Sequence, residues 1–189
     1  MGPVILVKHA APVLTPDVAS NRWVLSAAGQ ESCRWLAGEL RAQGVLRLYS
    51  SLEPKALETA ARVAIELGLD VRPRAELHEN DRSGLAFGPA AELERLIARL
   101  FAEPDARVMG RETANAARAR FTNAVRRIAD ESADAPVAIV AHGTVITLLL
   151  AQLSGVEPFA FWKAFGLACF VVLEGQDLRW DGQVHQPVP

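Results

Sequence analysis

The chain has 189 residues, half of them hydrophobic, which is enough apolar material for one core and predicts a single domain over 1–189. Twenty lysines and arginines against 22 aspartates and glutamates leave a formal charge of −2, which speaks against nucleic acid or a membrane surface as a partner held by bulk charge. No apolar run reaches the ~18 residues of a spanning helix, and the run at 4–7 is too short for a secretory leader.

In chain order, "VILV" at 4–7 is short, continuous and β-branched, as in a strand buried on both faces. Pro12 and Pro16 break the following segment into a loop to about Leu25. A helix is predicted over 26–44, with Ser26 as N-cap, Cys33, Leu36 and Leu40 at helical spacing, and Gly44 as the stop. Residues 45–49 read as a second strand. A helix over 51–67 follows, with Pro54 in its first turn and Gly68 ending it. Residues 70–72 form a short strand, and 77–90, with Gly84, Gly88 and Pro89, an irregular excursion.

Helices are then predicted over 90–102 and 112–131, the second with Phe121, Val125 and Ile128 on one face and Arg118, Arg120, Arg126 and Arg127 mostly on the others. Val137–Ala141 is the third clear strand and Gly143 opens a helix to Leu153. A short helix at 159–165 and a β pair at 170–173 and 178–180 close the chain, with a surface tail after Trp180. Alternating strands and helices give an α/β class: a three-layer sandwich with a mostly parallel central sheet and helices on both faces. Cys33 and Cys169 lack a C-x-x-C partner and read as small buried apolar residues, in keeping with a reducing, cytoplasmic setting.

Ligands of open α/β sheets gather beyond the carboxyl ends of the strands. Here those ends carry Lys8-His9, Ser50-Ser51 and His142-Gly143-Thr144, and Lys55 lies one turn into the helix after Ser51. The amides opening the helix at Gly143 would form an anion site. A lone histidine at a strand end is most often a hydrogen-bonded structural residue. Two of only four histidines placed this way, with Lys8 straight after a buried strand, favour a phosphate pocket. His78 and His185 receive no role. P-loop, dinucleotide-binding and Gly-x-Ser-x-Gly motifs are absent, and neither His9 nor His142 has a carboxylate within four residues to build a metal site.

Several segments resemble, in order, the signatures of the histidine phosphatase, or phosphoglycerate mutase-like, superfamily. "LVKHA" is similar to its Leu-Val-Arg-His-Gly, "YSSLEPKALETA" to Ser-Ser-x-Leu-x-Arg-Ala-x-x-Thr-Ala, and "ELHEND" to the Leu-x-Glu segment that carries its acid. "GRETA" resembles Gly-Gly-Glu-Ser, and "VAHGTVI" resembles Ser-His-Gly-Gly-x-Ile. The resemblance implies His9 as the nucleophile that becomes phosphohistidine, His142 as the second pocket histidine, and Glu79 as proton donor. It places Lys8 and Lys55 where the family usually has phosphate-holding arginines, with Gly143 beside them, and it implies no metal and no cofactor. A small phosphorylated substrate is the expected partner.

Departures from the pattern are specific. Both arginines are lysines, which keep charge but lose the bidentate fork. Ala10 replaces the usual glycine, and Glu53 stands where the motif is usually apolar. Asp81 competes with Glu79 as the acid, and Arg82 could supply the missing guanidinium. The expected activity is a metal-independent phosphomonoesterase; mutase-type phosphoryl transfer and a phospholigand-binding protein without turnover are the alternatives. Specificity is expected in the loop at 11–22 and the excursion at 77–110, where Arg82, Leu85, Phe87 and Arg111 mix charge and apolar surface. The substrate and the oligomeric state are left open.

Overall fold

Six strands form one sheet in the order β3-β2-β4-β1-β5-β6, so the two most apolar strands lie inside it. The structure, a computed structural model, describes residues 2–16, 18–83 and 88–187; Gly84, Leu85 and Phe87 of the predicted excursion lie outside the described residues. Strand β1 (Val4–Lys8) and strand β4 (Val137–Ala141) pair in parallel, with Val4 opposite Val137 and Lys8 opposite Ala141. Strand β2 (Arg47–Ser51) runs parallel to β4 and to β3 (Val71–Arg74). Strands β5 (Phe170–Glu174) and β6 (Arg179–Trp180) close the other side in antiparallel register. Pro73 is tolerated because β3 is an edge strand.

The period-2 alternation of the strands sorts the core into two layers. Ile5, Val7, Leu48, Ala138 and Val140 pack with Leu36 and Leu40 of helix α1 (Ala27–Ala42) and with Ala60 and Val63 of helix α2 (Pro54–Leu67). On the opposite face Val4, Leu6, Tyr49, Ile139 and Ala141 meet four helices: α3 (Ala90–Ala102), α4 (Ala114–Ser132), α5 (Gly143–Ser154) and α6 (Pro158–Ala164). The expected three-layer α/β architecture is therefore observed. Val4 to Val7 and all of β4 are fully buried, and each such Val or Ile contributes roughly 1.5–3 kcal/mol by leaving water. No described helix is long and apolar enough to cross a membrane.

Local chemistry explains most element ends. The Ser26 hydroxyl accepts from Gly29 N at 3.1 Å and caps α1, as predicted. Its own O–H and backbone N–H both donate to Ala11 O at 2.9 Å, tying the loop after His9 to the helix start. Gly29 is required there, since a Cβ would sit 2.1 Å from Ala11 O.

Three predictions needed correction. Strand β2 begins and ends two residues later than expected, and helix α2 starts at Pro54 rather than 51. Proline lacks the N–H that a helix interior needs but suits a first turn, so the helix cannot begin before it. Ser51 is thereby the last residue of the strand. The tail after Trp180 is not wholly surface: His185 exchanges backbone bonds with Phe170 at 2.9 Å and stacks on its ring at 4.4 Å.

Candidate active site

Parallel pairing of β1, β4 and β2 brings their carboxyl ends to one edge, and with them Lys8-His9, His142-Gly143 and Ser50-Ser51. The rings of His9 and His142 face each other edge-on with centroids 5.3 Å apart. His9 Nδ1 lies 2.8 Å from Ala10 O. A carbonyl only accepts, so Nδ1 carries the proton and Nε2 keeps its lone pair. Burial first, then His142 and Lys55, hold the His9 pKa well below its ordinary value, so the ring is neutral. Ala10 is fully buried, and its N–H donates to Thr59 Oγ1 at 3.0 Å while Thr59 donates to Lys55 O at 2.7 Å. Its φ is not positive, so alanine fits where the family prefers glycine.

His142 is fully buried, with Nε2 2.9 Å from Ser51 Oγ and 3.6 Å from Glu53 Oε1. Burial and the Lys55 charge outweigh the Glu79 carboxylate and keep it neutral, its pKa well below the ordinary value. Its Nδ1 is buried with no partner among the described residues.

Lys8 folds over the start of α5. A Cβ on Gly143 would meet its Cε at 3.1 Å and its Nζ at 3.3 Å, so glycine is what admits the ammonium. Lys8 donates to Phe165 O and stands 5.5 Å from the Phe165 ring. Burial, partly offset by Glu79, lowers its pKa to about 8. Lys55 donates to Ser20 O at 2.7 Å and to Glu53 Oε2 at 2.5 Å.

Glu79 corrects one expectation. The amides of Thr144 and Val145 at the start of α5 are not open to an incoming anion: they donate to Glu79 Oε2 at 3.1 Å and Oε1 at 3.2 Å. The carboxylate caps a helix from a separate segment, where the N-terminal dipole favours it. Burial alone would raise its pKa, but Arg82, His142 and the N–H groups of Asn80 and Thr144 hold it down to about 2. Of the three opening amides, that of Gly143 has no acceptor among the described residues.

Asp81 points elsewhere, accepting from Ser83 N at 2.8 Å, Ser83 Oγ at 3.0 Å and Arg111 N at 3.3 Å. Arg82 enters the pocket: its Nη2 donates to Thr144 Oγ1 at 2.8 Å and to Glu79 Oε2 at 3.4 Å, and its Nε is buried without a partner among the described residues. Arg111 is 84% exposed.

Four residues of the site were not assigned from sequence. Ser51 and Thr59 lie inside the quoted "YSSLEPKALETA" motif, which marked the segment but not their bonds. Thr144 follows the His-Gly pair. Arg120, expected on an outer face of α4, turns inward and donates to the carbonyls of Glu76 at 2.6 Å, His78 at 2.9 Å and Glu79 at 3.3 Å. Only tertiary structure shows that these carbonyls lie across from it.

A cleft of about 490 Å³ lined by Asp130, Ala133, Asp134 and Gln176 lies at the other edge of the sheet, since it borders the entry to β4 and the exit of β5. It is remote from both histidines. Among the described residues no group of three or more His, Cys, Asp or Glu side chains is placed to hold a metal ion.

The profile of the Histidine phosphatase superfamily (branch 1) matches residues 5–186, which span the whole constellation. The chain belongs to the histidine phosphatase superfamily. No curated protein sequence matches it. Similar solved structures include mycobacterial glucosyl-3-phosphoglycerate phosphatase in native form, 25% identical with a TM-score of 0.72 over 95% of this chain and 96% of that one. The same phosphatase with VO3 is 23% identical, with a TM-score of 0.75 over 97% and 99%. A mutant phosphoserine phosphatase from Entamoeba histolytica, bound to phosphoserine, is 16% identical, with a TM-score of 0.75 over 92% and 91%. At these identities the likeness is one of histidine phosphatase fold.

Proposed function

We propose that this histidine phosphatase is a phosphomonoesterase acting on a small phosphorylated substrate through phospho-His9. The observation that carries the reading is the His9 tautomer: Nδ1–H is committed to Ala10 O, which leaves the Nε2 lone pair of a neutral imidazole free to attack, in a ring 5.3 Å from that of His142. Nε2 attacks phosphorus and the bond from phosphorus to the leaving oxygen breaks. Lys8, Lys55, Arg82 and the Gly143 amide offset charge on the three equatorial oxygens. Glu79 is ionised, and a phosphoryl group beside it raises its proton affinity by like-charge repulsion. A substrate entering as the monoanion passes its proton to Glu79, which delivers it to the leaving oxygen. Water then attacks the phosphohistidine and passes a proton to Glu79 as the bond from phosphorus to Nε2 breaks; phosphate leaves as the monoanion, taking that proton and returning Glu79 to its ionised form. No step calls on a metal ion.

Support also comes from relatives of this fold whose names record phosphatase action on glucosyl-3-phosphoglycerate and phosphoserine. One observation favours a second reading, a phospholigand-binding protein without turnover. Both pocket lysines already have internal partners, Lys55 with Glu53 and Lys8 with Phe165 O. Hydrolysis of an aryl phosphate in the presence of a chelator separates the two. Turnover that disappears in His9→Ala supports the phosphatase, whereas phosphate affinity without turnover supports the binder. Assaying transfer between phosphoglycerate isomers alongside distinguishes a mutase.

A further inference from the structure

The mechanism above leaves Glu53 unused, although it stands inside the pocket. The family motif is apolar at this position, so the carboxylate is a feature of this chain. Its side chain is only 11% exposed. Oε2 accepts from Lys55 Nζ at 2.5 Å, while Oε1 accepts from Glu79 N at 2.9 Å and lies 3.6 Å from His142 Nε2. His142 in turn faces His9 at 5.3 Å. The Glu53 charge is therefore about one imidazole away from the proposed nucleophile.

Counting formal charge around the two histidines gives Lys8, Lys55 and Arg82 against Glu53 and Glu79. Each of the three cations also has an internal acceptor: Phe165 O for Lys8, Glu53 for Lys55 and Glu79 for Arg82. Were position 53 apolar, as in the motif, the pocket would carry one more net positive charge and Lys55 would be open to a second anionic group. With Glu53 present the surplus is a single positive charge, which one phosphoryl group satisfies. A carboxylate or second phosphate on the leaving group would then meet the Glu53 carboxylate with no surplus cation left to offset it, in a poorly hydrated pocket where like charges cost most.

We infer that Glu53 is a specificity-determining residue that selects phosphomonoesters with a neutral or cationic leaving group over those bearing a second anionic group. This rests on the phosphatase reading above and narrows its substrate class.

The test uses three phosphate monoesters of nearly equal size: 2-aminoethyl, 2-hydroxyethyl and carboxymethyl phosphate. The wild-type protein is expected to show kcat/KM falling in that order, with at least about a tenfold span between the cationic and anionic esters, whose leaving groups differ by two unit charges. In Glu53→Gln the span is expected to shrink by about the same factor, mainly through KM for the carboxymethyl ester. Glutamine keeps the acceptor for Glu79 N–H, and a matching thermal midpoint confirms that the variant folds. Glu53→Asp, which retains the charge, is expected to keep the wild-type order; a merely structural role for Glu53 would not separate the two variants this way.

Turnover with the same span in wild type and Glu53→Gln would overturn the role of Glu53 and leave the phosphatase reading intact. If none of the esters turns over, calorimetric affinities for the three are compared instead, and an order unaffected by Glu53→Gln would again overturn the role. Absence of binding by all three would overturn the phosphate pocket itself and this inference with it.

Discussion

Replacing Glu79 by glutamine tests how the acid loop is fastened to helix α5. The carboxylate accepts Thr144 N and Val145 N on separate oxygens, and also Asn80 N and Arg82. A glutamine side chain turns one of those oxygens into an NH₂ that faces a backbone N–H, so a bond becomes a donor–donor clash. Folding lowers the Glu79 pKa from an ordinary 4.5 to about 2. That shift corresponds to roughly 3 kcal/mol of stability from the ionised form. The sign follows from which state holds the proton. The unfolded chain protonates near 4.5 and the folded chain only near 2, so the contribution is complete above about pH 5 and is lost as pH falls towards 2. Urea unfolding followed by circular dichroism at pH 7, 5, 4 and 3 reads it directly. Glu79→Gln is expected to be about 3 kcal/mol less stable at pH 7, with about 2 kcal/mol of that gap closed by pH 3. Parallel stability profiles for the two proteins, or an equally stable variant at pH 7, would refute the capped, ionised carboxylate.

Other consequences concern the pocket. Gly143→Ala adds a methyl 3.1 Å from Lys8 Cε and is expected to lower kcat/KM by roughly 10–100-fold without destabilising the fold, as steady-state kinetics and a thermal melt would show. Lys8 is charged below its pKa of about 8 and neutral above it, so KM for a phosphomonoester is expected to rise as pH passes 8. Lys8→Arg, charged throughout, should remove that inflection. Arg82→Lys is expected to lose most activity while Arg111→Lys keeps it, because only Arg82 reaches Thr144 and Glu79; equal tolerance of both would remove Arg82 from the site.

How much of this was legible in the sequence depends on the range of the interaction involved. Val4 to Val7 and Val137–Ala141 announce buried parallel strands because both faces are apolar, and Ser26 and Gly68 mark helix ends through local backbone chemistry. His9, His142, Lys8 and Lys55 stood out because reactive groups at strand ends must converge in an α/β sheet. The occupant of the α5 N-terminus was not legible. A helix start looks open to any anion, and only tertiary structure shows that Glu79, 65 residues earlier, already fills it. Arg120 hid for the same reason, since its acceptors are loop carbonyls from another segment. Glu53 was visible as a departure from a motif, but its bonds to Lys55 and to Glu79 N appear only when β2 and the acid loop are packed together.

The central claim is that His9 becomes phosphorylated. Incubation with a small reactive phosphoryl donor, a basic quench and intact mass spectrometry, with His9→Ala in parallel, tests it most directly. The expected result is one base-stable, acid-labile phosphoryl adduct on the wild-type protein and none on the variant. Hydrolysis of the donor by both proteins with no adduct on either would contradict the phosphohistidine mechanism.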